Sequence, residues 1–311
     1  MPTILGQNQY GKAENRVVKV IRDGDTHHIK DLNVSVALSG DMDDVHYSGS
    51  NTHVLPTDTT KNTVFAFAKE YGIESPEQFG IELARHFVNS QEPIGRARIR
   101  IEEYSWQRIP ASAGGAASGG GAGEHRHSFV REGQEIRTAQ VTFDGESVEV
   151  LGGLKELTVL NSTDSEFWGF LKDKYTTLRE DYDRILATEV AAAWRYQWAG
   201  EGVPEPDWNE SYAEARGHLL RAFAETYSLS LQQTLYQMGV RVIENRPEID
   251  EIRFSMPNKH HFRVDLEPFG LKNEAADGAV YYAADRPYGL IEGTVLRDGA
   301  EARIPVDLTA P

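Results

Sequence analysis

Leu32, Val34, Val36 and Leu38 alternate with Asn33, Ser35, Ala37 and Ser39, a period of two that predicts a strand with one buried face. Arg16 to Ile21 is a second strand, and Arg22-Asp23-Gly24-Asp25 supplies turn chemistry between them. The period then lengthens. Lys61 to Tyr71 puts Val64, Phe67, Ala68 and Tyr71 on one helical stripe. Ser75 opens the next helix, with Pro76 at its first position and Gln78 completing a capping box, ahead of the stripe Phe79, Leu83 and Phe87. Strands return over Ile94 to Gln107 and His127 to Phe143. Between them, Ala111 to Gly123 is built only from Ala, Ser and Gly. Such a stretch has no large side chains whose burial offsets its ordering entropy, which predicts a long, mobile hairpin tip.

The second half repeats the plan. Strands are predicted over Val148 to Asn161 and Asp181 to Trp198, followed by a linker, Ala199 to Asp207. Two helical stripes follow: Tyr212, Ala215, Leu219, Phe223 and Tyr227, then Leu231, Leu235, Met238 and Val242. Ile252, Phe254 and Met256 alternate with polar neighbours, as do Phe262, Val264 and Leu266. With Pro257-Asn258-Lys259-His260 between them, they read as a β-hairpin. Each half is thus strand–strand–helix–helix–strand–strand. That order predicts an α+β fold of antiparallel sheets with helix pairs on one face, in two domains, 1–146 and 147–311. The other sheet face is left to solvent or a partner, and an oligomer that closes the sheets into a barrel removes their exposed edges.

Length and charge agree with this picture. The chain has 311 residues, 40% of them apolar, with 32 basic and 48 acidic side chains and a formal charge of −16. An acidic surface repels phosphates, so nucleic acid is not an expected partner. There are no cysteines, which removes thiolate metal sites, iron–sulfur clusters and Cys nucleophiles together. No apolar run is long enough to span a bilayer, so no membrane association is expected. The first eight residues show no secretory pattern and the last five no peroxisomal address, which leaves the cytoplasm as the default compartment.

Taken singly, the residues that carry chemistry have ordinary readings. Lys12, in Tyr10-Gly11-Lys12 just ahead of a strand, reads as a surface charge. Thr57-Asp58 reads as a helix cap or turn, Arg184 as a strand surface charge, Gln232 as a first-turn residue, and Asn258-Lys259-His260 as turn chemistry. His27-His28 and His260-His261 point to opposite faces of a strand, whereas His125 and His127 share one; without cysteines or a carboxylate triad beside them, no metal site is expected. No Walker A, dinucleotide or Gly-x-Ser-x-Gly signature is present.

Together and in order, however, several segments resemble the factor-independent urate oxidases (uricases). They are Tyr10-Gly11-Lys12, Thr57-Asp58 with Lys61-Asn62-Thr63, Leu154 to Leu160, Phe167-Trp168-Gly169-Phe170, Lys174 to Leu178, Asp183 to Thr188, Ser255 to His260 and Pro287 to Ile291. The resemblance spans nearly the whole chain. It implies two tandem tunnelling-fold domains, a homotetramer whose active sites are shared between chains, and conversion of urate and O₂ to 5-hydroxyisourate and hydrogen peroxide with no cofactor. It also implies roles. Arg184 and Gln232 grip the purine, Phe167 stacks on it, and Leu178 and Leu231 supply apolar and backbone contacts. Thr57 and Asp58 reach in from the neighbouring chain, and Asn258 holds O₂ or water over the ring. Lys12, Thr57 and His260 correspond to the catalytic triad. The roles make chemical sense: a guanidinium fork suits the edge of a flat anion, a primary amide suits a mixed edge, and a hydroxyl needs a neighbour to take its proton before it can act as a base. The Ala/Ser/Gly stretch is longer than the family's polar hairpin, and Leu231 stands where a smaller β-branched residue also occurs. Two alternatives stay open: another purine or pterin enzyme of the same fold, and a catalytically silent purine-binding assembly.

Overall fold

A computed structural model describes residues 3–111, 124–200, 202–274 and 278–306; all but Ala111 of the Ala/Ser/Gly stretch lies outside them. The chain forms two compact units, 1–153 with 195–210 and 154–194 with 211–311. In chain order the elements are β1 (Tyr10–Asp23), β2 (Thr26–Gly40), α1 (Asp44–Tyr47), α2 (Thr57–Glu70), α3 (Pro76–Ser90), β3 (Ile94–Glu103), β4 (Trp106–Pro110), β5 (Glu124–Arg131), β6 (Ile136–Phe143), β7 (Val148–Asn161), β8 (Leu186–Tyr196), α4 (Trp208–Glu225), α5 (Leu231–Asn245), β9 (Ile249–Arg263) and β10 (Tyr281–Leu296). In the first unit β1-β2-β3-β6 run antiparallel in that order, and β4 and β5 make a separate ribbon. The later strands neighbour one another in the order β7-β8-β9-β10, with β9 and β10 antiparallel.

The two units are built alike. Leu32, Val34, Val36 and Leu38 of β2 are all buried, the last three opposite Ile101, Ile99 and Ala97 on β3. Helix α3 starts where Ser75 Oγ accepts the Gln78 N–H at 3.0 Å, and its buried Phe79, Leu83 and Phe87 face β3 and β6. Helix α5 starts the same way, Ser230 Oγ accepting the Gln233 N–H at 3.1 Å, and its buried Leu231, Leu235, Met238 and Val242 face β9 and β10. Each helix comes so close to its sheet that one residue must lack a β-carbon. A Cβ on Gly80 of α3 would meet Val141 Cγ2 at 2.8 Å, and one on Gly239 of α5 would meet Val295 Cγ2 at 2.5 Å. A helix glycine costs about 1 kcal/mol against alanine, and here dense packing offsets it.

The antiparallel α+β plan read from the pattern is the observed one, but several elements differ: the expected strands 94–107 and 127–143 each divide, into β3 and β4 and into β5 and β6, and no pattern announced β10. The expected hairpin at 252–266 does not form: residues 252–263 belong to one unbroken strand, β9, whose partner is β10, and Val264 and Leu266 lie beyond its end. The turn-forming character of Pro257-Asn258-Lys259-His260 is a local preference, and a long-range ladder on both sides overrides it. The strand expected from Asp181 begins only at Leu186, so Arg184 sits in the loop ahead of β8, not on a strand. Tyr227 lies beyond the end of α4, where its hydroxyl donates to Glu166 Oε1. Among the described residues, no helix is long and apolar enough to cross a membrane.

The first unit contains one fully buried ion pair. Arg137 Nη2 on β6 donates to Glu77 Oε2 of α3 at 2.6 Å, and Arg137 Nη1 donates to Asn209 Oδ1 at 2.7 Å. Glu77 is 0% exposed and Arg137 7%. Burial pushes the Glu77 carboxyl up, and the Arg137 guanidinium pulls it back. Arg137→Met should therefore cost about 3–5 kcal/mol of unfolding free energy by stranding the carboxylate, while Glu77→Gln with Arg137→Met should recover most of it. A raised pKa means stability that fades as pH rises through it, so the single variant's deficit should deepen from pH 5 to pH 8. Chemical denaturation of the three variants at both pH values checks this.

Candidate active site

The sequence-predicted site residues fall into two sets, one in each unit. The first is Lys12, Thr57 and Asp58. Lys12 lies within β1, paired with Val36, rather than ahead of the strand. Residue 11 must be glycine there, because a β-carbon would sit inside the Val36 carbonyl. One residue earlier, Tyr10 Oη accepts the Leu55 N–H at 2.9 Å. This bond ties the strand carrying Lys12 to the segment that leads through Pro56 into α2, whose first residue is Thr57. Lys12 and Thr57 are half-buried, and Asp58 is exposed. Lys61 Nζ, 2.5 Å from Asp58 Oδ1, holds that carboxyl below the usual carboxylate range, and the Lys12 charge acts in the same direction. Lys12 thus stands close enough to the start of α2 to be felt there.

The second set is Phe167, Arg184, Leu231, Gln232, Asn258 and His260. The loop between β7 and β8 is drawn in at its neck. Phe167 N–H donates to the Asp181 carbonyl at 2.7 Å, Asp181 N–H donates back at 3.0 Å, and Arg184 N–H donates to the Ser165 carbonyl at 2.9 Å. The same neck is bonded to the residues before α5: Glu166 N–H donates to the Ser228 carbonyl at 2.8 Å, and Ser228 N–H to Asp164 at 2.9 Å. Beneath, buried Thr234 Oγ1 donates to buried Ser228 Oγ at 2.8 Å. These bonds bring Phe167, Arg184 and the first turn of α5 into one place. Gln232 is exposed in that turn, while the side chain of Leu231 is buried in the core, which leaves only its main chain for a ligand.

Arg184 is the electrostatic centre of this set. Its Nε donates to Ser165 Oγ at 3.1 Å, and its guanidinium carbon lies 5.3 Å from the centroid of the Phe167 ring. Its Nη2 is buried and has no hydrogen-bond partner. Burial lowers the Arg184 pKa, with Asp181 opposing, yet a guanidinium stays charged at any working pH. A cationic fork with an unspent donor beside an aromatic face is a receptor for a flat, electron-rich ring.

Asn258 and His260 are mid-strand neighbours on β9, two residues apart and hence on one face. The β10 ladder slips opposite them, between Ala284 and Gly289, and a β-carbon on Gly289 would lie 3.9 Å from His260 Nε2. Burial first, then the charges of Arg184 and His261, push the His260 pKa down, favouring the neutral imidazole. Leu178 is not among the residues drawn together at the neck; it is exposed on the outer part of the loop. Sequence reasoning missed Ser165 and Ser228, which hold the named residues, and included Gly289 only as part of the segment Pro287 to Ile291.

Comparison with known proteins shows the family. The sequence profile of the Uricase family matches residues 8–142 and 150–292. The uricase of Arthrobacter globiformis is 50% identical over 303 residues, covering 97% of this chain and 93% of its own. That of Aspergillus flavus is 35% identical over 306 residues, covering 95% and 98%. The crystal structure of the Arthrobacter globiformis uricase superposes with a TM-score of 0.88 at 49% identity, over 98% of this chain and 99% of that one. A urate oxidase of Bacillus sp. TB-90, at 22% identity and a TM-score of 0.77, shares the fold. With both units matched in order and at this identity, the chain belongs to the uricase family.

Proposed function

We propose that this urate oxidase works without metal or flavin, at sites that two chains share. The buried, unpartnered Nη2 of Arg184 beside the Phe167 ring carries the reading. Urate is a flat anion whose edge alternates C=O and N–H. Arg184 would take its acceptor edge, Gln232 a mixed edge, Phe167 its face, and the main chain at Leu231 a further polar atom, with Leu178 closing from the loop. Asn258 would hold O₂ or water over the ring. The Lys12, Thr57 and Asp58 set of a neighbouring chain would complete the site, in a homotetramer.

The chemistry supports these roles. Urate, O₂ and water balance to 5-hydroxyisourate and hydrogen peroxide; urate gives up two electrons, O₂ takes them, and water supplies the added hydroxyl. Urate must first lose protons to become a strong enough donor. In the proposed relay the Lys12 amine takes the proton from the Thr57 hydroxyl, which then acts as base, and neutral His260 accepts or relays a proton beside Asn258. In this scheme the substrate is the redox centre.

Three outcomes are expected. Arg184→Ala should weaken binding of an unreactive purine anion by roughly 2–5 kcal/mol, with Arg184→Lys restoring only part; calorimetry measures both. Lys12→Ala and Thr57→Ala should each lower kcat with little change in that affinity, and the double variant should be scarcely worse than the worse single one. If Lys12 only attracts urate, the losses add and high salt mimics the mutation. Finally, Lys12→Ala and Arg184→Ala proteins, each impaired alone, should regain activity when dissociated and reassembled together, because mixed assemblies hold some sites with both sets intact. No recovery would count against shared sites. All assays are run after dialysis against a chelator, and activity restored only by a metal would overturn the cofactor-free reading.

A further inference from the structure

The ladder between β1 and β2 breaks its step immediately after Lys12. Lys12 pairs with Val36 and Asn15 with Val34, so Ala13 and Glu14 together face the single residue Ser35. This is a β-bulge, with one extra residue on β1. Glu14 takes a left-handed φ of 57° within it, and its N–H donates to Ser35 Oγ at 2.9 Å. Asn15, only 6% exposed, closes the bulge: its Nδ2 donates to the Lys12 carbonyl at 3.2 Å and to the Val34 carbonyl at 2.8 Å.

The extra residue decides which way Lys12 points. Residues opposed across an antiparallel ladder share a face, and Val34 and Val36 belong to the buried face of β2. Asn15 and Lys12 therefore lie on that same face, although residues three apart on a plain strand lie on opposite faces. It is also the face that carries α2: further along the odd-numbered positions, Val17 is buried and Lys19 Nζ reaches the Ala68 carbonyl of α2 at 2.7 Å. Without the bulge, the register beyond Asn15 would place Ala13 opposite Val36 and turn Lys12 to the other face, away from Thr57. We propose that Asn15 is a positioning residue for catalysis, closing a bulge whose purpose is to put Lys12 on the Thr57 side of the sheet.

The proposal rests on the reading of Lys12 as part of the proton relay, and the test separates the two. Both partners of Asn15 Nδ2 are carbonyls, so only a donor serves there. Asn15→Ala and Asn15→Asp should each lower kcat by about 10- to 100-fold, the scale of a misplacement near 1 Å, and leave affinity for an unreactive purine unchanged. In a Lys12→Ala background the same changes should cost nothing further, which a general loss of stability would not reproduce. Ser35→Ala, a milder lesion that removes only the Glu14 contact, should give a smaller loss and serves if the Asn15 variants do not fold. Glu14→Gly, which accepts a positive φ freely, should keep full activity. A Glu14 deletion that folds should match Lys12→Ala. Full kcat in Asn15→Ala beside an impaired Lys12→Ala would overturn the bulge proposal and leave the relay standing. Full kcat in Lys12→Ala would overturn both.

Discussion

A β-strand offers its side chains to two faces in turn, and in each unit one of those faces is covered by a helix. Any group that must act at a helix end has to lie on that face, and a slip of one residue sends it to the other. The Lys12 strand meets this condition through an irregularity, the bulge held by Asn15 and Ser35. The β9 strand meets it through regularity: Asn258 and His260 stand two apart and need no correction to face the same way. The β10 ladder carries the irregularity there, and its slip between Ala284 and Gly289 lies opposite Lys259, between the two site residues.

The rest of the second set is placed by main-chain bonds. Arg184 and Phe167 come from a loop, which is normally a mobile place to keep a binding residue. Here Ser165 and Ser228 are buried, and reciprocal N–H and C=O pairs join Phe167 to Asp181 and Ser228 to the 164–166 segment. Because Ser228 stands two residues before Ser230, the cap of α5, the loop is tied to a helix whose buried face is locked into the core.

The fold was largely legible in the sequence, because its period-two and helical segments bury what they promise: Val34, Val36, Phe79, Leu83, Leu235 and Met238 are all core. What misled was local chemistry set against distant pairing. Pro257-Asn258-Lys259-His260 has turn-forming residues, yet β8 and β10 hold it in a ladder, and β10 itself, rich in Tyr, Ala and Gly, shows little alternation. The site residues were legible only jointly, as motifs in order. Nothing in the composition around Lys12 announces that Glu14 will take a left-handed conformation, since a bulge is a property of two strands and the pattern of either one alone carries half of it.

In the proposed reading, Arg184 is what lets a chain of charge −16 receive an anion. The protein's overall field is unfavourable to urate, but that field is screened beyond about 10 Å in ordinary salt, so the contest is decided locally. Within the second unit Arg184 is desolvated, His260's own burial and then the Arg184 and His261 charges favour its neutral form, and Asp181 engages Phe167 through its main chain. A buried guanidinium nitrogen without an acceptor is an expense in the free enzyme. In the proposed site an anionic edge would relieve it and a neutral ring of the same shape would relieve it less, so the unsatisfied donor would convert a structural cost into discrimination between ligands by charge.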